Sequence, residues 1–76
     1  MITSLSASQK ATCDLLSKTT RFDIITIESI YLQTGGAKQT KSALEWADRL
    51  NTEPLKVLHH PERYGLVLID REYIRT

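Results

Sequence analysis

Only one cysteine, Cys13, occurs in the chain. A single cysteine cannot form an internal disulfide, so no disulfide framework holds this fold. A reducing cytoplasm is the compartment this cysteine usage leads us to expect. Charge of one sign is also missing: ten Lys and Arg stand against nine Asp and Glu, giving a net charge of +1. Proteins that bind nucleic acid mainly through their field carry a stronger basic excess, so any such binding here has to come from local clustering. Long apolar runs are absent as well. The longest, Leu66 to Ile69, is far too short to cross a bilayer. The segment Met1 to Ser8 carries no basic stretch ahead of an apolar run, so neither a secretory signal nor a membrane span is expected. With three glycines and two prolines, there is no low-complexity segment and no internal repeat.

The chemistry-bearing constellations are equally sparse. His59 and His60 with Cys13 match no zinc spacing, and adjacent residues of an extended strand point to opposite faces. No metal site is expected. Gly35-Gly36 lacks the longer glycine pattern and the Lys-Ser/Thr pair of a phosphate loop, so turn geometry explains both glycines and no cofactor is implied. The serines have no histidine in a recognisable nucleophilic context, and Cys13 reads as a small apolar helix residue. No catalytic set is present, and the chain is read as a non-enzyme.

What remains is the pattern of an ordinary globular unit. Hydrophobic residues make up 41% and charged residues 25% of the 76 positions, which argues against disorder. Residues 1–76 suffice for one domain. A domain of this size buries only about 60 to 65% of its unfolded surface, so its stability margin is thin.

Ser6 with Gln9 three residues on is a capping-box pattern and predicts a helix from about Ala7. Its expected core positions are Ala11, Thr12, Leu15 and Leu16, with Asp14, Ser17 and Lys18 in water. Phe22, the only phenylalanine, is expected in the core. Around Asp23-Ile24-Ile25-Thr26 two readings are open. Thr26 caps the second helix after an extended entrance, which the β-branched Ile24 and Ile25 favour, or Asp23 is the cap. Ile27, Ile30, Tyr31 and Thr34 then recur on one helical face, and Gly35 supplies a left-handed stop. A third helix starts between Ala37 and Thr40 and runs to about Leu50. Ala43, Leu44, Ala47 and Leu50 line its inner face, with Trp46 beside them and largely buried. Asn51 to Pro54 ends it, since a proline disfavours helix at the preceding residue. Leu55 to His60 and Tyr64 to Asp70 are expected to form a β-hairpin about a type I turn at His60-Pro61-Glu62-Arg63. The continuous apolar run Leu66 to Ile69 implies burial on both faces, or cover by another chain.

Two helices joined by a glycine turn, followed by a hairpin, resemble the winged helix-turn-helix superfamily over about residues 6 to 70. The resemblance lies in element order, the Gly35 turn and the apolar spacing of the third helix. It implies an α+β, small winged helix-turn-helix-like domain, three helices followed by a β-hairpin. In that superfamily the helix after the turn enters the major groove of double-stranded DNA and the hairpin touches the backbone or minor groove. Carried onto this chain, Lys38, Gln39, Lys41, Ser42, Glu45 and Arg49 form the exposed face of that helix, and His59, His60 and Arg63 the wing tip. Lys and Arg suit phosphates and guanine edges, and Gln can pair with adenine. The nucleic-acid-binding set is therefore Lys38, Gln39, Lys41, Ser42, Arg49 and Arg63. The role this implies is a small cytoplasmic DNA-binding transcription regulator of phage, plasmid or bacterial type. Glu45, Asp48, Glu53 and Glu62 interleave with these cations, and Glu45 with Arg49 is a favourable i, i+4 pair. That mixture also fits a solvated face on a non-enzymatic protein-binding module, an inhibitor or adaptor of a larger complex. A homodimer through the apolar strand or the first helix is the remaining partner reading. No membrane partner is expected.

Overall fold

The computed structural model describes residues 4–76; Met1 to Thr3, the start of the Met1–Ser8 segment, lie outside the described residues. Among the described residues four helices precede a two-stranded antiparallel hairpin: α1 (Ala7–Thr19), α2 (Ile24–Thr34), α3 (Ala37–Leu50), α4 (Pro54–His59), a 3-10 turn (Pro61–Tyr64), β1 (Leu66–Ile69) and β2 (Glu72–Arg75). The α+β class with a C-terminal hairpin holds. The helix count rises from three to four.

The capping box forms as the sequence predicts. The Ser6 hydroxyl accepts the Gln9 amide at 3.2 Å, and the Gln9 side chain accepts the Ser6 amide at 2.8 Å. The buried face of α1 differs from expectation. Cys13 and Leu16 are enclosed, whereas Ala11 is exposed, Thr12 is half-buried and Leu15 is 62% exposed. The helix rests on α2 and α3 through Cys13 and Leu16, three residues apart, and that contact turns Leu15 outward. Burial pushes the Cys13 thiol up, helped by the charge of Glu28, so it stays protonated and packs as a small apolar group.

At the start of α2, Asp23 is the cap, and Ile24 and Ile25 already lie in the helix. The Asp23 carboxylate accepts the Thr26 amide at 2.9 Å, and this local bond outweighs the extended preference of two β-branched residues. Gly35 ends α2 in the left-handed region at φ 77°. Across this turn the Thr34 and Thr40 hydroxyls lie 2.8 Å apart, and Thr40 also donates to the Gly36 carbonyl at 2.8 Å. Thr40 is fully buried, and these bonds satisfy it.

α2 and α3 are the shared wall between two core clusters. Ile27, Tyr31 and Leu44 close on Cys13 and Leu16 of α1. Ile30, Ala43 and Ala47 close on Val57, Leu66 and Tyr73. Phe22, half-buried, packs against both. Arg21 ties the α1–α2 loop to the end of α3. Its guanidinium meets Asp48 at 2.8 Å and donates to the Ala47 and Thr52 carbonyls at 3.4 and 3.3 Å.

The hairpin lies one element later than the sequence pattern indicates. Residues 54–59 are helical: Pro54 occupies the first turn, where its missing N–H costs nothing, and Pro54 and Val57 are buried one turn apart. The His60–Arg63 turn does form, with the Arg63 amide donating to the His60 carbonyl at 3.1 Å. It continues as a 3-10 turn and leads from a helix into a strand instead of joining two strands. The tight hairpin turn is Asp70-Arg71, both with positive φ (50° and 66°), the pattern of a two-residue I′ connection between Ile69 and Glu72.

Asp23→Ala should lower Tm at neutral pH. The hydroxyl and amide of Thr26 hold the Asp23 carboxyl below its usual range. Its contribution is therefore present above the unfolded-state carboxylate pKa and disappears as pH falls through the lower folded value. Parent and variant melts should converge as pH is lowered through that window; a gap that stays constant would show that the cap does not act through the carboxylate.

Candidate nucleic-acid interface

α3 packs its inner face on the core and presents Lys38, Lys41, Glu45, Asp48 and Arg49 to solvent. A groove runs along each flank of this ridge. On the α1 side a cavity of about 480 Å³ is lined mainly by apolar groups, Leu15 and Ala37 among them, with Lys41 and Glu45 at its rim. On the β2 side a cavity of about 450 Å³ lies over Trp46, with Lys38, Lys41, Arg49 and Arg75 set against Glu45 and Glu72. Cations outnumber carboxylates four to two around this second groove.

β2 is fastened to α3 at Tyr73. The Tyr73 amide donates to the Ser42 hydroxyl at 2.8 Å, the Trp46 indole donates to the Tyr73 carbonyl at 2.6 Å, and the Gln39 amide donates to the Tyr73 hydroxyl at 3.0 Å. Two of the sequence-predicted readers, Gln39 and Ser42, are thus committed to holding the hairpin. Trp46 is half-buried, less enclosed than its spacing predicts, because it forms the floor of the groove.

The remaining cations differ in how they are held. Lys38 meets Asp70 at 3.4 Å and Glu72 at 4.0 Å across the hairpin turn, exposed contacts of small energetic weight. Lys41 has no ion-pair partner among the described residues. The expected Glu45–Arg49 pair does not form. Arg49 lies instead over the Trp46 ring, its guanidinium carbon 5.2 Å from the centroid, and Arg75 approaches the same ring at 5.3 Å. Arg75 belongs beside Arg49; a second strand read at Tyr64 to Asp70 leaves it out, whereas β2 spans Glu72–Arg75. Its position two residues after Tyr73, on the same strand face, is the signal that finds it.

Arg63 lines a separate cleft with Lys56, His59 and His60, apart from the α3 ridge. None of these lies at the tip of the hairpin; that place is taken by Asp70 and Arg71. His59 bonds Gln33 of α2 at 2.8 Å, and Cys13 lies in the other core cluster. The hairpin run is not enclosed: Leu66 is buried, whereas Val67, Leu68, Ile69 and Ile74 stay exposed.

Trp46→Phe keeps a ring in the groove floor and removes the indole donor. The Tyr73 carbonyl then loses its partner, which should cost about 1 to 3 kcal/mol. The melt should shift down by roughly 4 to 8 °C per kcal/mol in a domain of this size. An unchanged Tm would mean that the hairpin does not depend on this bond.

No known protein family, curated protein or solved structure matches the chain, so its functional reading rests on the chemistry of the α3 ridge.

Proposed function

We propose that this domain is a small cytoplasmic regulator that binds double-stranded DNA with the exposed ridge of α3. The observation that carries this reading is the grouping of Lys38, Lys41 and Arg49 on the free face of the helix that follows the tight Gly35 turn. A left-handed Gly35 and the Thr34–Thr40 hydroxyl contact set the turn between α2 and α3 and so the direction in which the ridge points. That direction matters because a helix seated in the major groove must place its cations against phosphates and base edges together. With Gln39 and Ser42 occupied by Tyr73, base readout falls to Lys38, Lys41 and Arg49, and backbone attraction is the larger part of the binding.

A second reading is a protein-binding module. The observation behind it is the exposed aliphatic surface of the hairpin at Val67, Ile69 and Ile74, together with Glu45 and Glu72 among the cations. A patch of this kind marks contact surfaces for other proteins.

Labelled duplex titrated across a salt series separates the two. Each neutralised phosphate contributes a slope of about 0.9 in log K against log salt. Lys41→Glu should leave the melt unchanged, weaken duplex binding and make the salt slope shallower by about 1. A parent protein that binds no duplex even at low salt refutes the DNA reading and leaves the protein partner as the reading to pursue.

A further inference from the structure

We propose that Arg49 and Arg75, gathered around the Trp46 ring, form a phosphate-binding site at the C-terminal half of α3. The two residues come from different elements, the last turn of α3 and the end of β2. Docking of Tyr73 on Ser42 and Trp46 is what brings them together. Both guanidinium carbons lie within 5.3 Å of one ring centroid.

Carboxylates are within the same groove, yet among the described residues neither arginine pairs with one. Glu45 stands one turn before Arg49 and Glu72 three residues before Arg75, and no ion pair or hydrogen bond joins either carboxylate to either guanidinium. A ring contact uses none of the guanidinium N–H groups, so the donor forks of both arginines stay free for a ligand. Two forks facing one groove suit a tetrahedral oxyanion with several acceptor oxygens better than a single carboxylate. The ligand class is therefore a phosphate group. Its source is either a backbone phosphodiester, which would extend the footprint of α3 onto β2, or a free phosphate. The site shares Arg49 with the ridge assigned to DNA and adds Arg75 of β2, so it rests in part on that reading, and Arg75 is the residue that distinguishes the two.

Trp46 is the only tryptophan in the chain, so its fluorescence reports on this site directly. The full chain is titrated with inorganic phosphate and, separately, with a short duplex, using chloride at matched ionic strength as the control. The proposal expects a saturable change in Trp46 emission with at least one of the two probes and none with chloride. Arg49→Gln and Arg75→Gln should each weaken that response about tenfold, the weight of one charge-assisted contact, while far-UV circular dichroism shows the fold retained; each variant's response is read as a change from its own ligand-free emission. A response to phosphate alone identifies a free-phosphate site, and a response to duplex alone identifies a backbone contact. Silence with both probes, or a response that survives both substitutions, overturns the proposal. If labelled duplex binds and Lys41→Glu weakens it while Trp46 stays silent, this site is refuted and the DNA reading stands. If phosphate responds and labelled duplex does not bind, the reverse holds. Should either glutamine variant fail to fold, Arg75→Lys, which keeps the charge and removes the fork, must still lose affinity for the proposal to survive.

Discussion

The attachment of Tyr73 to α3 is the contact on which the rest of the outer surface depends. A two-stranded hairpin is marginal by itself in water. Here its inner strand uses the amide, the carbonyl and the phenol of one residue to bond three side chains of α3. Tyr73 is also buried in the core cluster shared with Ile30, Ala43, Ala47 and Val57. The polar and apolar parts of the same side chain thus act in the same direction, and α3 satisfies the backbone groups that Tyr73 turns away from β1.

That attachment redistributes chemistry on α3. Gln39 and Ser42 become fasteners, Trp46 becomes a floor, and Arg75 is carried to the ring already faced by Arg49. Lys38 is drawn toward Asp70 and Glu72 at the hairpin turn, whereas Lys41 stays unpaired among the described residues. A helix face that reads as uniformly mixed in sequence is therefore divided in space. One part closes the fold, and the other leaves cations free in a groove.

The core was legible in the residues to a large extent. The Ser6–Gln9 box, the left-handed stop at Gly35, and the inner faces Ile27, Ile30, Tyr31 and Ala43, Leu44, Ala47 all follow from spacing and capping chemistry, and all are present. The hairpin was not. Residues 55–60 alternate loosely enough to imitate a strand, while the proline and the three-residue spacing of Pro54 and Val57 favour a short helix. The Asp70-Arg71 turn lacks the glycine that usually announces a two-residue connection, so both residues adopt positive φ under the demand of the strand pairing. A hairpin turn read at His60–Arg63 hides Arg75 and puts Arg63 at a tip that Asp70 and Arg71 occupy.

Local signals determined the helices because caps, left-handed glycines and apolar periodicity act over a few residues, where the chain carries its own information. They also determined that no disulfide holds the fold, since one cysteine cannot close a loop within the chain. Which face of α1 is buried, where the strands pair, and which cations share a groove were decided only by tertiary packing. Each of these depends on residues far apart in the chain meeting on α3: Leu16 with Leu44, Tyr73 with Ser42 and Trp46, and Arg75 with the ring beside Arg49. Spacing along one element fixes which residues share a face, but the neighbour that covers that face comes from another element, and its position follows from the packing of the whole core.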